Sequence, residues 1–448
     1  MDIKTLSIPL PEDLMKLKWN GQFDLMKEMI DRRVLKDIPK ELKERLLLEK
    51  ELIDILGDDF IYCREEAIQL LKEKIVDFQE DEFDELFKDN AFEFLFINGK
   101  MMFKNDFYDN LIKTRKEYAS RCKDVLSNKN IEILEEVITQ MKQKGEVSYK
   151  IHVKVSLKIT NDCQGIARVW LPIPIEYAQI KDVHIININP KPTLINDNDV
   201  THRSVYFEAD VSKNKEFSVE YEFINHMTYR QLDPQIVTDE HPDICLNEEQ
   251  PHIVFSPYLK NLAKEIVGDE TNPLLKAKKI YEYITSHVMY SFMRQYITLP
   301  LIAEYAATSL KGDCGVQALL FITLCRIVGI PASWQAGLYA PKEIIGNHDW
   351  ARFYIAPYGW LFADCSFGGS AYRQGSTLRR EFYFGHLDPF RIVSASKFQG
   401  DLYPLNQYTR RDPYDHQTGE VEMMDRALHQ DEYEMSQTII EICEVSPQ

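Results

Sequence analysis

No apolar run in this 448-residue chain approaches the ~18 residues that span a bilayer, so no membrane partner is expected. Positive charge is in deficit: 53 Lys and Arg against 71 Asp and Glu leave a net charge of −18. A surface field that gathers phosphate is therefore missing, and nucleic acid is not expected as a partner. The opening MDIKTLSIPLPEDL carries acids and prolines where a leader would need an apolar stretch, so no secretory signal is expected. Eight cysteines, at 63, 122, 163, 245, 314, 325, 365 and 443, include no C-x-x-C pair, which removes thioredoxin-like and zinc-ribbon readings. Scattered in this way, they fit a reducing compartment where thiols stay free, and a cytoplasmic location is expected.

What is present is ordinary for a folded chain: 44% hydrophobic and 28% charged residues exclude a disordered, collagen-like or disulfide-scaffold protein. The length suggests two to four domains at about 150 residues each. Residues 1–146 read as a helical domain of unassigned role. ELKERLLLEKELIDIL (41–56) and CREEAIQLLKEKIVDF (63–78) place Leu and Ile at helical spacing. The acidic run EDEFDELFKD (80–89) reads as a solvated helix face, and Phe92, Phe94, Phe96 and Met101–Phe103 as core.

From 147 to 228 the period becomes two. SYKIHVKVSLKI (148–159), IARVWLPIPIE (166–176), DVHIININP (182–190), SVYFEADV (204–211) and EFSVEYEF (216–223) predict an antiparallel β-sandwich. Residues 229–405 mix the two periods. A helix over 271–288, with Pro273 early and Thr271 as its cap, precedes the apolar VQALLFITLCRIV (316–328), a buried helix. Strand-like ASWQAGLYA, WARFYIA, GWLFADC and HLDPFRIVSASKF follow, and 406–448 reads as an acidic, turn-rich tail. His386 and His416 read as surface or loop histidines.

Chemistry concentrates in this third stretch. Cys314, in KGDCGVQA, stands at the predicted N-terminus of the buried helix, where amides and the helix dipole favour an anion and draw a thiol pKa towards neutrality. Asp313, beside it, opposes a thiolate unless it faces away or caps the helix. His348, in GNHDWARFY, stands at a strand entrance, and Asp364, in GWLFADCSFGG, ends the next strand. Together Cys314, His348 and Asp364 supply a thiol, a base for its proton and a carboxylate to fix the imidazole tautomer.

These segments resemble the transglutaminase-like superfamily, whose papain-like core carries a G-x-C-x-x-x-A helix, an H-x-W strand and a G-W-x-x-x-D strand. The chain reads Gly312-Asp313-Cys314-Gly315-Val316-Gln317-Ala318, then His348-Asp349-Trp350, then Gly359-Trp360-Leu361-Phe362-Ala363-Asp364. CRIVGIPASWQAGLYAP (325–341) is similar to the family's R-x-x-G-I-P-A-R-x-x-x-G-Y segment, with Ser333 where an arginine is usual. The resemblance implies a papain-like core over 229–405 with a preceding sandwich (VWLPIP, 169–174); with the helical domain, which it does not cover, the chain is expected to be a multidomain α+β protein.

It further implies cysteine-dependent acyl transfer on an amide through a thioester on Cys314. Tyr290 and Gln335 are candidate oxyanion donors, and Trp334, Tyr339 and Trp350 candidate substrate walls. The substrate would be a peptide, a protein or a small amide. No D-x-D-x-D-G calcium loop is present, so no metal or other cofactor is expected and hydrolysis is favoured over transamidation. Arylamine acetyl transfer, and a binding or scaffold role with the core as platform, stay open.

Overall fold

The structure is a computed structural model describing residues 3–122, 129–342, 344–410 and 413–446, with the backbone alone at 129 and 130. The chain forms two compact units: Met1–Asn128 with Tyr290–Pro300, and Lys129–Met289 with Leu301–Gln448.

In the first unit, helices Glu12–Trp19, Phe23–Val34 and Lys40–Asp59 bury Leu14, Met26, Ile30, Leu46, Ile53 and Leu56 in one cluster. Helix Glu80–Lys88 turns Phe83 and Leu86 inward and leaves its acids to solvent, as the sequence predicts. The unit is not all helix. Phe60–Cys63, Lys100–Lys104 and Phe94–Ile97 form a three-stranded antiparallel sheet. Its hairpin closes at Asn98-Gly99, both at positive φ (47° and 85°), the backbone that an Asn-Gly turn supplies most readily. Phe92 and Phe103 are core, but Phe96 is exposed on the sheet's outer face.

The helical domain's expected boundary at 146 also moves. Helix Lys129–Lys144 belongs to the second unit, where Glu135 accepts from Ser376 Oγ at 2.9 Å and pairs with Arg379 at 3.0 Å. Conversely, Tyr290–Pro300 joins the first unit: Asn110 Oδ1 accepts from the Phe292 N–H at 2.8 Å, and Glu93 pairs with Arg294 at 2.6 Å.

The second unit contains the sandwich. One four-stranded sheet runs Tyr433–Val445, Glu146–Ile159, Glu216–Thr228, Ile180–Asn189, and the other Glu420–Glu422, Ile166–Pro172, Ser204–Asp210, Leu194–Ile195, all pairs antiparallel. Alternate residues such as Val153, Val155, Val169, Phe207, Phe217 and Val219 are buried, and the Phe207 and Phe217 rings, one from each sheet, lie 5.3 Å apart. The expected tail, 406–448, is thus corrected: it gives each sheet an edge strand. YEMSQTIIEICEV is β-branched and alternates in exposure, so it pairs along Ser148–Ile159 despite its acidity.

The rest of the unit is a five-stranded antiparallel sheet, ordered Phe384–Gly385, Gly359–Ala363, Gly346–Ile355, Ala332–Tyr339, Arg391–Ala395. Helix Cys314–Ile327, buried from Gly315 to Arg326, packs on it, with Phe321 5.5 Å from Phe353. Helix Pro273–His287 is capped by Asn272, whose Oδ1 accepts from the Leu274 and Leu275 amides, and not by the Thr271 expected. His386 and His416 are buried, not superficial. His386 bonds the Arg230 main chain at 2.9 Å, His416 bonds Ser204 Oγ at 2.8 Å, and burial holds the His386 imidazole pKa down at about 4.

Candidate active site

Cys314 opens its helix. Asp313 is the cap: its Oδ1 accepts from the Val316 N–H at 3.1 Å. Gly312 is required by space, since a Cβ there would lie 2.4 Å from Val316 Cγ1. The Sγ donates to Asp349 Oδ2 at 3.4 Å, and Asp349 Oδ1 accepts from the Gln417 side-chain amide. Burial pushes the thiol pKa up, and the Asp349 and Asp313 carboxylates add to the rise, while the Asp349 main-chain N–H opposes it. The helix terminus alone predicts the reverse. A helix dipole is worth up to about 2 kcal/mol in a partly buried site, less than the cost of an anion among two carboxylates.

His348 lies on strand Gly346–Ile355 opposite Gly337. Glycine serves there because a Cβ at 337 would fall 1.9 Å from the Ile392 carbonyl oxygen of the next strand. His348 Nε2 meets Asp364 Oδ2 at 2.7 Å, both residues being buried. Asp364 also caps helix Cys365–Arg373, its Oδ1 accepting from the Phe367 N–H at 2.9 Å and Ser366 Oγ at 3.0 Å.

Behind it, Arg391 Nη1 stands 3.0 Å from Asp364 Oδ2, and Arg391 Nη2 2.6 Å from Asp388. Phe367, Tyr339 and Trp350 surround the guanidinium at 4.5, 5.0 and 5.4 Å. Burial alone would raise the Asp364 pKa, but the His348 and Arg391 contacts outweigh it and hold the carboxyl at about 2. His348 is shifted down, because burial and the Arg391 cation together exceed the pull of Asp364. The pair is therefore a carboxylate and a neutral imidazole at neutral pH. With Asp364 ionised, Nε2 carries the hydrogen and Nδ1 the lone pair.

His348 and Asp349 are successive on one strand and face opposite sides of the sheet. Among the described residues no hydrogen bond joins Cys314 Sγ to His348: the sulfur is bonded to Asp349 and the imidazole to Asp364.

The other candidates distribute as follows. Gln335 is fully buried; its Oε1 accepts from Trp350 Nε1 at 2.7 Å and Gln179 Nε2 at 3.2 Å, and its amide nitrogen stands 3.4 Å from Gln179 Oε1. Trp350 is fully buried and stacks beside His348 at 5.9 Å. Tyr339 is half-buried, 6.2 Å from His348. Trp334 packs in the core against Phe398 at 5.0 Å. Tyr290 belongs to the first unit, where the Lys113 ammonium lies 4.7 Å over its ring. Sequence reasoning misses Asp349, Gln417, Arg391 and Asp388. The available signal for Arg391 is an arginine inside the apolar strand FRIVSA, which needs a buried acid.

Among the described residues, no group of three or more His, Cys, Asp or Glu could hold a metal ion, and no helix is long and apolar enough to cross a membrane. Residues 260–365, which include Cys314, His348 and Asp364, match the transglutaminase-like superfamily. An uncharacterised protein of Haemophilus influenzae is 23% identical over 259 residues, 48% of this chain and 68% of its own length. Among solved structures, a candidate cysteine protease from Cytophaga hutchinsonii aligns with TM-score 0.43 and 18% identity over 68% of this chain and 92% of its own. The periplasmic domain of TgpA from Pseudomonas aeruginosa aligns with TM-score 0.29 and 14% identity over 55% and 95%. The stretch similar to a transglutaminase-like domain is 260–365.

Proposed function

We propose that the protein is a cysteine-dependent hydrolase of amide bonds, with Cys314 as nucleophile, His348 as general base and acid, and Asp364 as the group that orients the imidazole. The observation that carries this reading is the buried 2.7 Å contact between His348 Nε2 and the ionised Asp364, which leaves Nδ1 as the proton acceptor. The resting pair is a thiol and a neutral imidazole rather than a preformed ion pair.

The reaction begins with the sulfur turned about its Cα–Cβ bond from Asp349 towards Nδ1. As Sγ attacks the amide carbon, Nδ1 takes the thiol proton and the carbonyl oxygen becomes an oxyanion. Nδ1–H then protonates the departing nitrogen, the C–N bond breaks, and a thioester remains. Water adds to the thioester and gives its proton to Nδ1. Loss of the acid returns that proton to sulfur. Asp364 stays ionised throughout and stabilises the transient imidazolium.

The test is incubation with a glutaminyl peptide, with and without a labelled primary amine, reading ammonia release and label incorporation. Ammonia release that Cys314→Ala and His348→Ala each abolish supports the reading. Incorporation of the amine in place of hydrolysis would replace it with transamidation. A panel of peptide and small-amide substrates left unchanged would leave a binding role instead.

A further inference from the structure

The nucleophile proposed above rests in contact with a second carboxylate that the Cys-His-Asp scheme does not use. Asp349 is buried, 3% exposed, and both of its oxygens are engaged: Oδ2 accepts from Cys314 Sγ and Oδ1 from the Gln417 amide. Gln417 is itself buried and lies in the C-terminal segment just before sandwich strand Glu420–Glu422. Its main-chain carbonyl accepts from Gln437 Nε2 at 3.3 Å, and Gln437 is on the other edge strand, Tyr433–Val445. The chain past residue 406 therefore reaches the sulfur through two side chains.

We propose that Asp349 is a positioning residue that docks Cys314 as an unreactive thiol, that Gln417 sets the carboxylate for this task, and that breaking the Sγ–Asp349 contact is the step that arms the nucleophile. This rests on the hydrolase reading for its meaning, but not for its test.

The geometry supports it in three ways. An ionised carboxylate is an acceptor only, so the sulfur facing it must keep its proton. A thiol has one hydrogen, and while Sγ donates it to Asp349 it cannot deliver it to Nδ1, so docking and proton transfer exclude one another. Finally, Gln417 holds the other Asp349 oxygen, so the carboxylate that meets the sulfur is oriented from the C-terminal segment as well as by its own strand. Among the described residues, the carboxylates that raise the thiol pKa are Asp349 from the adjoining strand, Asp313 from its own helix cap and Asp364 from the next strand, with His348 and Arg391 in contact with Asp364. Of these, Asp349 alone bonds the sulfur.

The experiment is iodoacetamide alkylation of Cys314, followed by peptide mapping across pH 6 to 10, in the full-length protein, Asp349→Asn, Asp349→Ser, Gln417→Met and His348→Ala. Asp349→Asn keeps the shape and removes the charge. Its thiol should titrate at least one unit lower and alkylate at least ten-fold faster at pH 7 than the unaltered protein. Asp349→Ser covers the case in which the asparagine variant does not fold. Gln417→Met, which leaves Asp349 in place but unanchored, should accelerate alkylation in the same direction and by less.

A folded Asp349→Asn or Asp349→Ser protein with an unchanged or higher thiol pKa overturns the proposal. His348→Ala separates the two claims. If it turns over amides like the unaltered protein while the Asp349 variants alkylate faster, the assigned base role of His348 falls and the docking role of Asp349 stands. If His348→Ala loses turnover and the Asp349 variants do not respond, the docking role falls and the hydrolase reading stands.

Discussion

Replacing Asp364 with Asn tests the site at its most constrained atom. The substitution keeps the shape of the side chain, yet no orientation of the amide satisfies its surroundings. Oδ1 accepts from the Phe367 N–H and Ser366 Oγ, while Oδ2 meets His348 Nε2 and Arg391 Nη1. If the amide oxygen keeps the Oδ1 position, the NH2 group points at two donors, the Nε2–H and the guanidinium. If the amide flips, NH2 points at the Phe367 N–H. In the first case the imidazole is driven to the tautomer with hydrogen on Nδ1, which cannot take a thiol proton.

The lost charge matters as much. Two unit charges 2.7 Å apart at an effective dielectric of 20 interact by about 6 kcal/mol, an upper figure for what Asp364 gives the imidazolium. Arg391 would then face that imidazolium with only Asp388 to balance it. At 1.36 kcal/mol per decade, a loss of about 4 to 6 kcal/mol lowers kcat on the order of 10³- to 10⁴-fold. The assay is amide turnover beside a thermal melt, so that loss of fold is seen separately. A folded Asp364→Asn protein within ten-fold of the unaltered kcat would refute the assigned roles of both His348 and Asp364.

Arg391→Met leaves Asp364 and Asp388 buried without their shared cation, a loss of about 3 to 5 kcal/mol, seen as a fall in the urea midpoint with little change in slope. Asp313→Ala removes the helix cap, costing about 1 kcal/mol by thermal melt, but also removes a carboxylate near the sulfur, so the Cys314 thiol should titrate lower in the alkylation profile. Asp364, held at about 2 against 3.8 when unfolded, gives stability that is complete above pH 4 and lost as pH falls through 2. That difference amounts to about 2 kcal/mol and should vanish from the acid limb of urea titrations in Asp364→Asn. Truncation before Tyr433 strips the partner from the long Glu146–Ile159 strand and exposes its edge, which should appear as aggregation in size-exclusion chromatography.

Elements governed by local rules are legible in the sequence. The period of two over 148–223 returns all the long strands of the sandwich up to Thr228, and the apolar run after Cys314 returns the buried helix, because both signals are intrinsic to one segment. Asp364 is legible for a related reason: it ends a strand and caps a helix, both visible nearby. The misses are of two kinds. Asn98-Gly99 between FLF and MMF is a local hairpin signal, outweighed by the helical spacing that dominates its flanks. The strand at 433–445 is masked by its acids, although its Ile, Thr and Val content favours the extended chain.

Asp349, Arg391 and Gln417 are beyond local reading. Their roles depend on which distant segment the sheet register and the sandwich edge bring against them. One residue of slip in the pairing of Ala336 with Asp349 would exchange that acid for His348.

That register also decides the chemistry. A preformed thiolate–imidazolium pair needs surroundings in which the anion is the better tolerated form of sulfur. Among the described residues, the carboxylates of Asp349, Asp313 and Asp364 each raise the Cys314 thiol pKa, and the Arg391 cation beside Asp364 is shared with Asp388. A permanent thiolate would put a further negative charge into this group, and burial makes each such charge more costly than it would be in water. A neutral thiol and a neutral imidazole avoid that charge at rest. Separation of charge is then confined to the moment of attack, when the proton reaches Nδ1, the imidazolium forms beside Asp364, and the negative charge passes from sulfur to the carbonyl oxygen. The acidic surroundings of Cys314 thus favour proton transfer concerted with attack over a standing ion pair, and they keep the resting thiol inert towards incidental electrophiles.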